Sequence, residues 1–300
     1  MVPVYNAADY VTEAVNSVVG LPETGEVLLV DDASTDNSLE VCRELEKRFK
    51  NVKVLIHPEG KNLGAAASRN AGIMHTSFDY IAFLDADDYY LPNRFIKEKE
   101  IFLQHPDIDG VYSCNQALFE NEEAKRKFLQ RYESEQTTLS KALPPEALFK
   151  ALLHGGYGRF HTSAITLHKR CFDKVGLFNT DIRYVEDTEL WLKLSLKTKL
   201  VAGNINEPVS IRRVHDTNSI HQVDKVVLYS KQMYQALFDW ALQQPFSFEI
   251  KNDFFIALHR YAKGEMYDVK NLFWEQVKRK PGMMLTEFFF KKIHHLYFIA

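Results

Sequence analysis

Short apolar runs alternate with amphipathic stretches along the first 120 residues. Val2 to Tyr5 is a brief β-like piece that Asn6 ends, in the position of a helix cap, and Tyr10, Val11, Ala14, Val15, Val18 and Val19 then recur at helical spacing. Glu26 to Val30 reads as a buried strand that stops at Asp31-Asp32, followed by small polar residues, 33–38, and an amphipathic helix over Leu39 to Phe49. A third strand is predicted over Val52 to His57, and Asn62 to Gly72 opens a further helix. The fourth apolar run, Tyr80 to Leu84, stops abruptly at Asp85-Ala86-Asp87-Asp88. Strands that alternate with helices predict an α/β fold, a Rossmann-like, mostly parallel sheet flanked by helices. In such sheets ligands bind beyond the carboxyl ends of the strands, and Asp31, Asp32 and the aspartates at 85–88 all follow strand ends, so they are expected on one rim.

Beyond Pro92 the pattern predicts a helix containing Phe95, Ile96, Ile101 and Phe102, then a strand over Gly110 to Leu118. Residues 119–144 are charged and rich in Gln, Ser and Thr, which reads as a surface excursion. A helix over Pro145 to His154, a Gly-rich turn at 155–158, a strand over Thr162 to His168 and a short helix ended by Gly176 follow. Glu186-Asp187 opens another helix, Glu207 to His215 is a strand, and from Gln222 onward the pattern is helical and aromatic-rich.

Three hundred residues, 46% hydrophobic and 26% charged, are ordinary for a globular chain. A formal net charge of −3 gives no support to a nucleic-acid partner. Cys42, Cys114 and Cys171 are odd in number and widely spaced, so neither a disulfide framework nor a zinc site is expected, and a reducing, cytoplasmic setting fits. No apolar run reaches about 18 residues and the start lacks a basic segment followed by an apolar one, so neither a membrane span nor a signal peptide is expected.

Three carboxylates within four residues at Asp85–Asp88 repel one another unless a cation lies among them. Hard oxygen ligands without His or Cys favour Mg2+ or Mn2+, ions that keep waters and bridge to substrate phosphates. The plainer reading is an acidic turn ahead of the helix that follows Pro92.

The order Val-Pro-Val-Tyr-Asn, Val-Asp-Asp-Ala-Ser-Thr-Asp, Asn-Leu-Gly-Ala-Ala-Ala-Ser-Arg-Asn-Ala-Gly, Phe-Leu-Asp-Ala-Asp-Asp and Glu-Asp-Thr-Glu-Leu-Trp resembles the family 2 glycosyltransferases of the GT-A fold, over roughly residues 2–215. The resemblance implies an inverting transfer from a nucleotide-diphosphate sugar, UDP-linked by preference, to an acceptor hydroxyl, with carbohydrate or lipid-linked acceptors of surface polysaccharide or glycolipid synthesis. It implies that Pro3 and Tyr5 line the nucleoside site and that Asp32 accepts a hydrogen bond from the base. Arg69 would stand near the nucleotide or its phosphates, Asp85 near the ribose or behind the metal, and Asp87 on the Mn2+ or Mg2+ itself, with Asp88 as a further ligand. His215 would touch the diphosphate or metal, and Asp187 would be the general base. Members of the family carry several apolar residues before the first motif where only Met1 and Val2 stand here, so a shortened first strand is expected.

The expected organisation is a GT-A domain over 1–220, divided into a nucleotide-sugar half (1–115) and an acceptor half (116–220), with a helical extension over 221–300. The stretch 283–300 combines aromatic bulk with Lys291 and Lys292, a pattern of interfacial helices, and is a candidate for peripheral membrane contact against the alternative of packing on the protein itself. A metal-dependent nucleotidyltransferase would also place paired aspartates at strand ends but would need a Gly-rich triphosphate loop, and none precedes Asp31. An inactive sugar-nucleotide binding module is disfavoured by Asp187, and a nicotinamide dehydrogenase by the absence of G-x-G-x-x-G after the first strand.

Overall fold

The computed structural model describes residues 1–58, 60–131, 134–215, 223–262 and 268–297. The chain divides into two compact units, Met1–His221 and Gln222–Ala300. The boundary at 220–221 and residues 298–300 of the aromatic segment lie outside the described residues.

In the first unit β1 (Val2–Val4), β2 (Val27–Asp31) and β3 (Val52–Ile56) form a parallel sheet in the order β1-β2-β3. Helices α1 (Val11–Val19), α2 (Ser38–Arg48) and α3 (Ala65–His75) form the crossovers. Every residue of β2 is buried, as its unbroken apolar run demands for a strand covered on both faces. Val11, Ala14, Val15 and Val18 of α1 close over Val2, Val4, Val27 and Leu29. Asn6 does not cap α1. It takes a left-handed conformation at φ 50°, which Asn tolerates, and its side chain accepts the Thr35 amide at 2.8 Å.

The fourth apolar run is a strand only over β4 (Tyr80–Ala82); the chain then passes through the aspartates to β5 (Tyr89–Tyr90) and α4 (Ile96–Gln104). Met1 joins β1 to this run, its amino group donating to the Ala82 carbonyl at 2.7 Å and its carbonyl accepting from Leu84 N at 3.0 Å. Burial pushes that amino group down to about 5. Beside it lies a groove of about 480 Å3 lined by Val18, Val27, Phe78, Tyr80, Leu84 and Phe102.

The single strand expected over 110–118 is two, β6 (Gly110–Tyr112) and β7 (Cys114–Phe119). The break at Ser113 sends them into different sheets, because Ser113 N turns to the Ala164 carbonyl and Cys114 N to that of Asn204. Residues 119–144 are not a bare excursion. They hold α5 (Glu122–Arg131), capped by Asn121, and β8 (Gln136–Thr137). Ala124 and Phe128, one helical turn apart, are buried against Ala117 and Val214, an apolar pair too sparse to stand out among the charges.

There follow α6 (Pro145–His154), β9 (Ile165–His168), α7 (Cys171–Val175), α8 (Glu186–Lys197), β10 (Leu200–Ala202) and β11 (Pro208–Val214). They complete sheets ordered β10-β6-β9-β4 and β5-β11-β7-β8. β6 with β10 and β7 with β11 are parallel, whereas β9 and the short β5 and β8 pair antiparallel, so antiparallel strands enter the expected parallel architecture in its second half.

The second unit is helical: α9 (Val223–Leu242), α10 (Phe248–Ala262), α11 (Val269–Arg279) and α12 (Glu287–Tyr297). Phe238, Phe254, Phe255, Phe273 and Phe288 fill its core. Among the described residues no helix is long and apolar enough to cross a membrane.

Candidate active site

The carboxyl ends of the strands gather the chemistry. Asp32 N donates to the Val4 carbonyl at 2.8 Å, which sets Tyr5 and Asp32 side by side as β1 and β2 end. The loops that leave those strands lock together: Ser38 Oγ accepts Ala7 N and Asp36 accepts Ala8 N. Ala33 is held at φ 60°, a left-handed conformation that costs a residue with a Cβ about 1 kcal/mol and that only surrounding contacts can enforce. Pro3 is half-buried in β1, and the Tyr5 ring is 50% exposed and free of the core. Asp32 is buried, its two oxygens accepting Leu63 N at 2.7 Å and Gly64 N at 2.8 Å, with His57 3.6 Å away. It therefore fastens the Gly-containing start of α3 to the end of β2.

Arg69, one turn into α3, is buried and directs its guanidinium to two carboxylates distant in sequence. Nη1 donates to Glu186 Oε1 at 2.7 Å and Nη2 to Asp85 Oδ1 at 2.8 Å, while the group lies 5.5 Å from the Phe178 ring centre. One cation thus ties the segment after β4 to the start of α8. Burial alone would raise the Asp85 carboxyl, yet Arg69, with Arg212, holds it below the usual carboxylate range. At Glu186 burial prevails over Arg69 and the group is raised.

Asp87 and Asp88 diverge. Asp87, its side chain 27% exposed, bonds through Oδ2 to His215 Nε2 at 3.0 Å, and this bond raises the imidazole; the His215 ring also stacks on Tyr10. Asp88 is buried, Oδ2 accepting Ser163 Oγ at 2.8 Å and Oδ1 the Arg213 amide at 3.2 Å. Burial first, then the charges of Asp87 and Asp85, push Asp88 well above its ordinary value. Among the described residues no three His, Cys, Asp or Glu side chains form a cage for a metal ion. Mg2+ or Mn2+ requires none: one or two carboxylates, water and phosphate oxygens suffice, and the mutual repulsion at 85–88 is what such an ion relieves.

Asp187 stands in the first turn of α8, half-buried, with Oδ1 accepting the Thr188 amide at 2.6 Å. It follows directly on Glu186, which Arg69 holds, at the start of the same helix. The structure thus brings Arg69, Asp85, Asp87, Asp88, His215 and Asp187 to one end of the strands, and Pro3, Tyr5 and Asp32 to the adjoining rim.

Sequence reasoning missed His161 and Ser163. His161 is buried, faces the charges of Arg212, Asp85 and Arg69, and is held down to about 3 by burial first and then by Arg212. Its signal was present as the polar run His161-Thr162-Ser163 after a Gly-rich turn, where a buried strand had been expected.

Residues 1–159 match the model of the family described as glycosyl transferase family 2. The chain is similar to the minor teichoic acid biosynthesis protein GgaA of Bacillus subtilis, 26% identical over 210 residues that span 66% of this chain and 43% of that protein. In fold it resembles S. aureus TarS 1–349 in complex with UDP-GlcNAc, with a TM-score of 0.60, 16% identity, and 95% of this chain and 74% of that one covered. It also resembles the mannosyltransferase PcManGT of Pyrobaculum calidifontis in complex with GDP-Man and Mn2+, with a TM-score of 0.54, 15% identity, and 100% and 86% covered.

Proposed function

The chain belongs to glycosyl transferase family 2, and from that membership we propose that it moves a sugar from a UDP-sugar to an acceptor hydroxyl with inversion, in the synthesis of a surface polysaccharide or glycolipid on the cytoplasmic side of the membrane. The observation that carries the reading is the Arg69 bridge. A single buried guanidinium holds the Asp85–Asp88 segment and the Glu186-Asp187 helix start together, so an anionic leaving group and an activated hydroxyl can meet there.

Pro3 and Tyr5 line the nucleoside pocket, the exposed Tyr5 ring offers a face to the base, and Asp32 reads the base edge with the lone pairs that its two amides leave. A bound Mn2+ or Mg2+, held through Asp87 with Asp88 behind it, would supply Lewis-acid neutralisation of the leaving diphosphate. His215 orients Asp87 and approaches the diphosphate. Asp187 takes the proton of the acceptor hydroxyl as its oxygen bonds to the anomeric carbon and the bond to the phosphate oxygen breaks. One in-line displacement, with no carboxylate attacking the sugar, inverts the configuration. Glu186, committed to Arg69, serves the architecture.

The test is a panel of nucleotide sugars assayed for Mn2+-dependent protection against thermal unfolding, where a ligand at 100 times its dissociation constant adds about 2.7 kcal/mol. A UDP-sugar is expected to raise the melting temperature; protection by none, with or without metal, rejects the reading.

Contact with an anionic membrane through the C-terminal segment is the second part of the proposal. Phe288 and Phe289 pack in the helical unit's own core, but Leu285 and Phe290 are exposed. Lys270, Lys278, Arg279, Lys280 and Lys291 outnumber Glu275 and Glu287 over the same stretch, Lys292 being buried on Asn252. Leu285→Ser with Phe290→Ser should abolish flotation with anionic liposomes, and equal flotation of both proteins defeats this part alone.

A further inference from the structure

The Gly-rich turn after α6 ends in a short 3-10 turn, Thr162–Ala164, that His161 caps. Gly155, Gly156 and Gly158 all take positive φ, and a Cβ on Gly158 would lie 1.9 Å from the Thr138 carbonyl oxygen, so this path is open only to glycine. The turn performs two tasks three atoms of chain apart. Ser163 Oγ donates to Asp88, and the Ser163 amide donates to His161 Nδ1 at 3.2 Å.

The second bond decides the tautomer. With Nδ1 accepting, the ring proton sits on Nε2, and the imidazole is a neutral donor rather than a metal ligand. Nε2 is on the ring edge opposite the turn. His161 is 9% exposed, no partner for Nε2 occurs among the described residues, and the charges that face the ring are Asp85, Arg69 and Arg212. Asp85 opens the aspartate segment, and Arg69 spans from it to the helix start bearing Asp187. Through Ser163, which bonds both His161 Nδ1 and Asp88, the ring is fixed beside the aspartate segment, where the diphosphate and the sugar it carries would lie.

We propose that His161 is a specificity-determining residue whose Nε2–H donates to a hydroxyl or carbonyl oxygen of the donor sugar. The inference rests on the nucleotide-sugar reading above and adds to it the contact that distinguishes a UDP-sugar from UDP. An uncharged donor suits this task, because it binds a neutral oxygen without competing for the diphosphate that cations hold.

His161→Asn separates this role from a structural one. Asn is among the best helix-capping residues, so its oxygen can still accept the Ser163 amide and keep Ser163 on Asp88, but it is too short to reach with a donor where Nε2 stood. Dissociation constants for UDP, UDP-glucose, UDP-galactose and UDP-GlcNAc are measured with Mn2+ by calorimetry on the full chain. The variant should bind UDP within about twofold of wild type and lose roughly fivefold to tenfold in affinity for whichever UDP-sugar wild type prefers, the scale of one neutral hydrogen bond. His161→Gln, which returns an N–H donor at longer reach, should recover part of that loss. Equal weakening of UDP and UDP-sugar, or no weakening of either, overturns the role of His161 while leaving the enzyme's function intact. Failure of wild type to bind any UDP-sugar overturns both.

Discussion

Replacement of Arg69 by Met removes one cation from between two carboxylates and keeps most of the side-chain volume. Asp85 and Glu186 are then left without the partner that donates to each at 2.8 and 2.7 Å. Breaking a buried ion pair from one side costs about 3–5 kcal/mol, because the remaining charge keeps its desolvation and loses its compensation. In a unit of this size 1 kcal/mol moves the melting temperature by about 2–4 °C, so a fall of roughly 10 °C is expected. The loss carries a pH signature. The Glu186 carboxyl is already raised by burial, with Arg69 the largest opposing influence, and without Arg69 it rises further. A group whose folded value exceeds its unfolded value contributes stability that is complete below the unfolded value, about 4.3, and is lost as pH rises through the folded one. Arg69→Met should therefore be more damaging at pH 8 than at pH 5, where Glu186 can take up a proton instead. Thermal unfolding of both proteins from pH 5 to 8 measures this, and Glu186→Gln in the Arg69→Met background should recover part of the loss at pH 8. A destabilisation below about 1 kcal/mol, or one constant with pH, refutes the view that the cleft is held by this buried bridge.

Asp187→Asn keeps the shape of the helix start but removes the proton acceptor, so turnover should fall about 100- to 10,000-fold while UDP-sugar affinity changes less than tenfold; residual transfer above about a tenth of wild type removes Asp187 from the base role. Glu186→Gln, by contrast, should lower stability more than turnover. Asp87→Ala, or EDTA with the wild type, should abolish UDP-sugar protection in thermal melts, and undiminished affinity in EDTA would falsify the metal bridge.

Local pattern was enough for much of the fold. The buried run of β2, the Pro at the start of α6, Gly176 at φ 83° after α7 and the acidic start of α8 lie where spacing and capping chemistry put them, because a helix or strand period is written into neighbouring residues. The aspartates at strand ends were legible for the same reason: charge that interrupts an apolar run is visible without knowing what it faces. Partners were not. Arg69 meets Asp85 and Glu186 across 16 and 117 positions, and Ser163 meets Asp88 across 75, distances over which no periodicity runs. The break at Ser113 likewise depends on carbonyls of Ala164 and Asn204 that only the assembled sheets present. Residue type announced where carboxylates gather; which of them is raised, lowered or engaged was decided by burial and by neighbours that folding alone supplies.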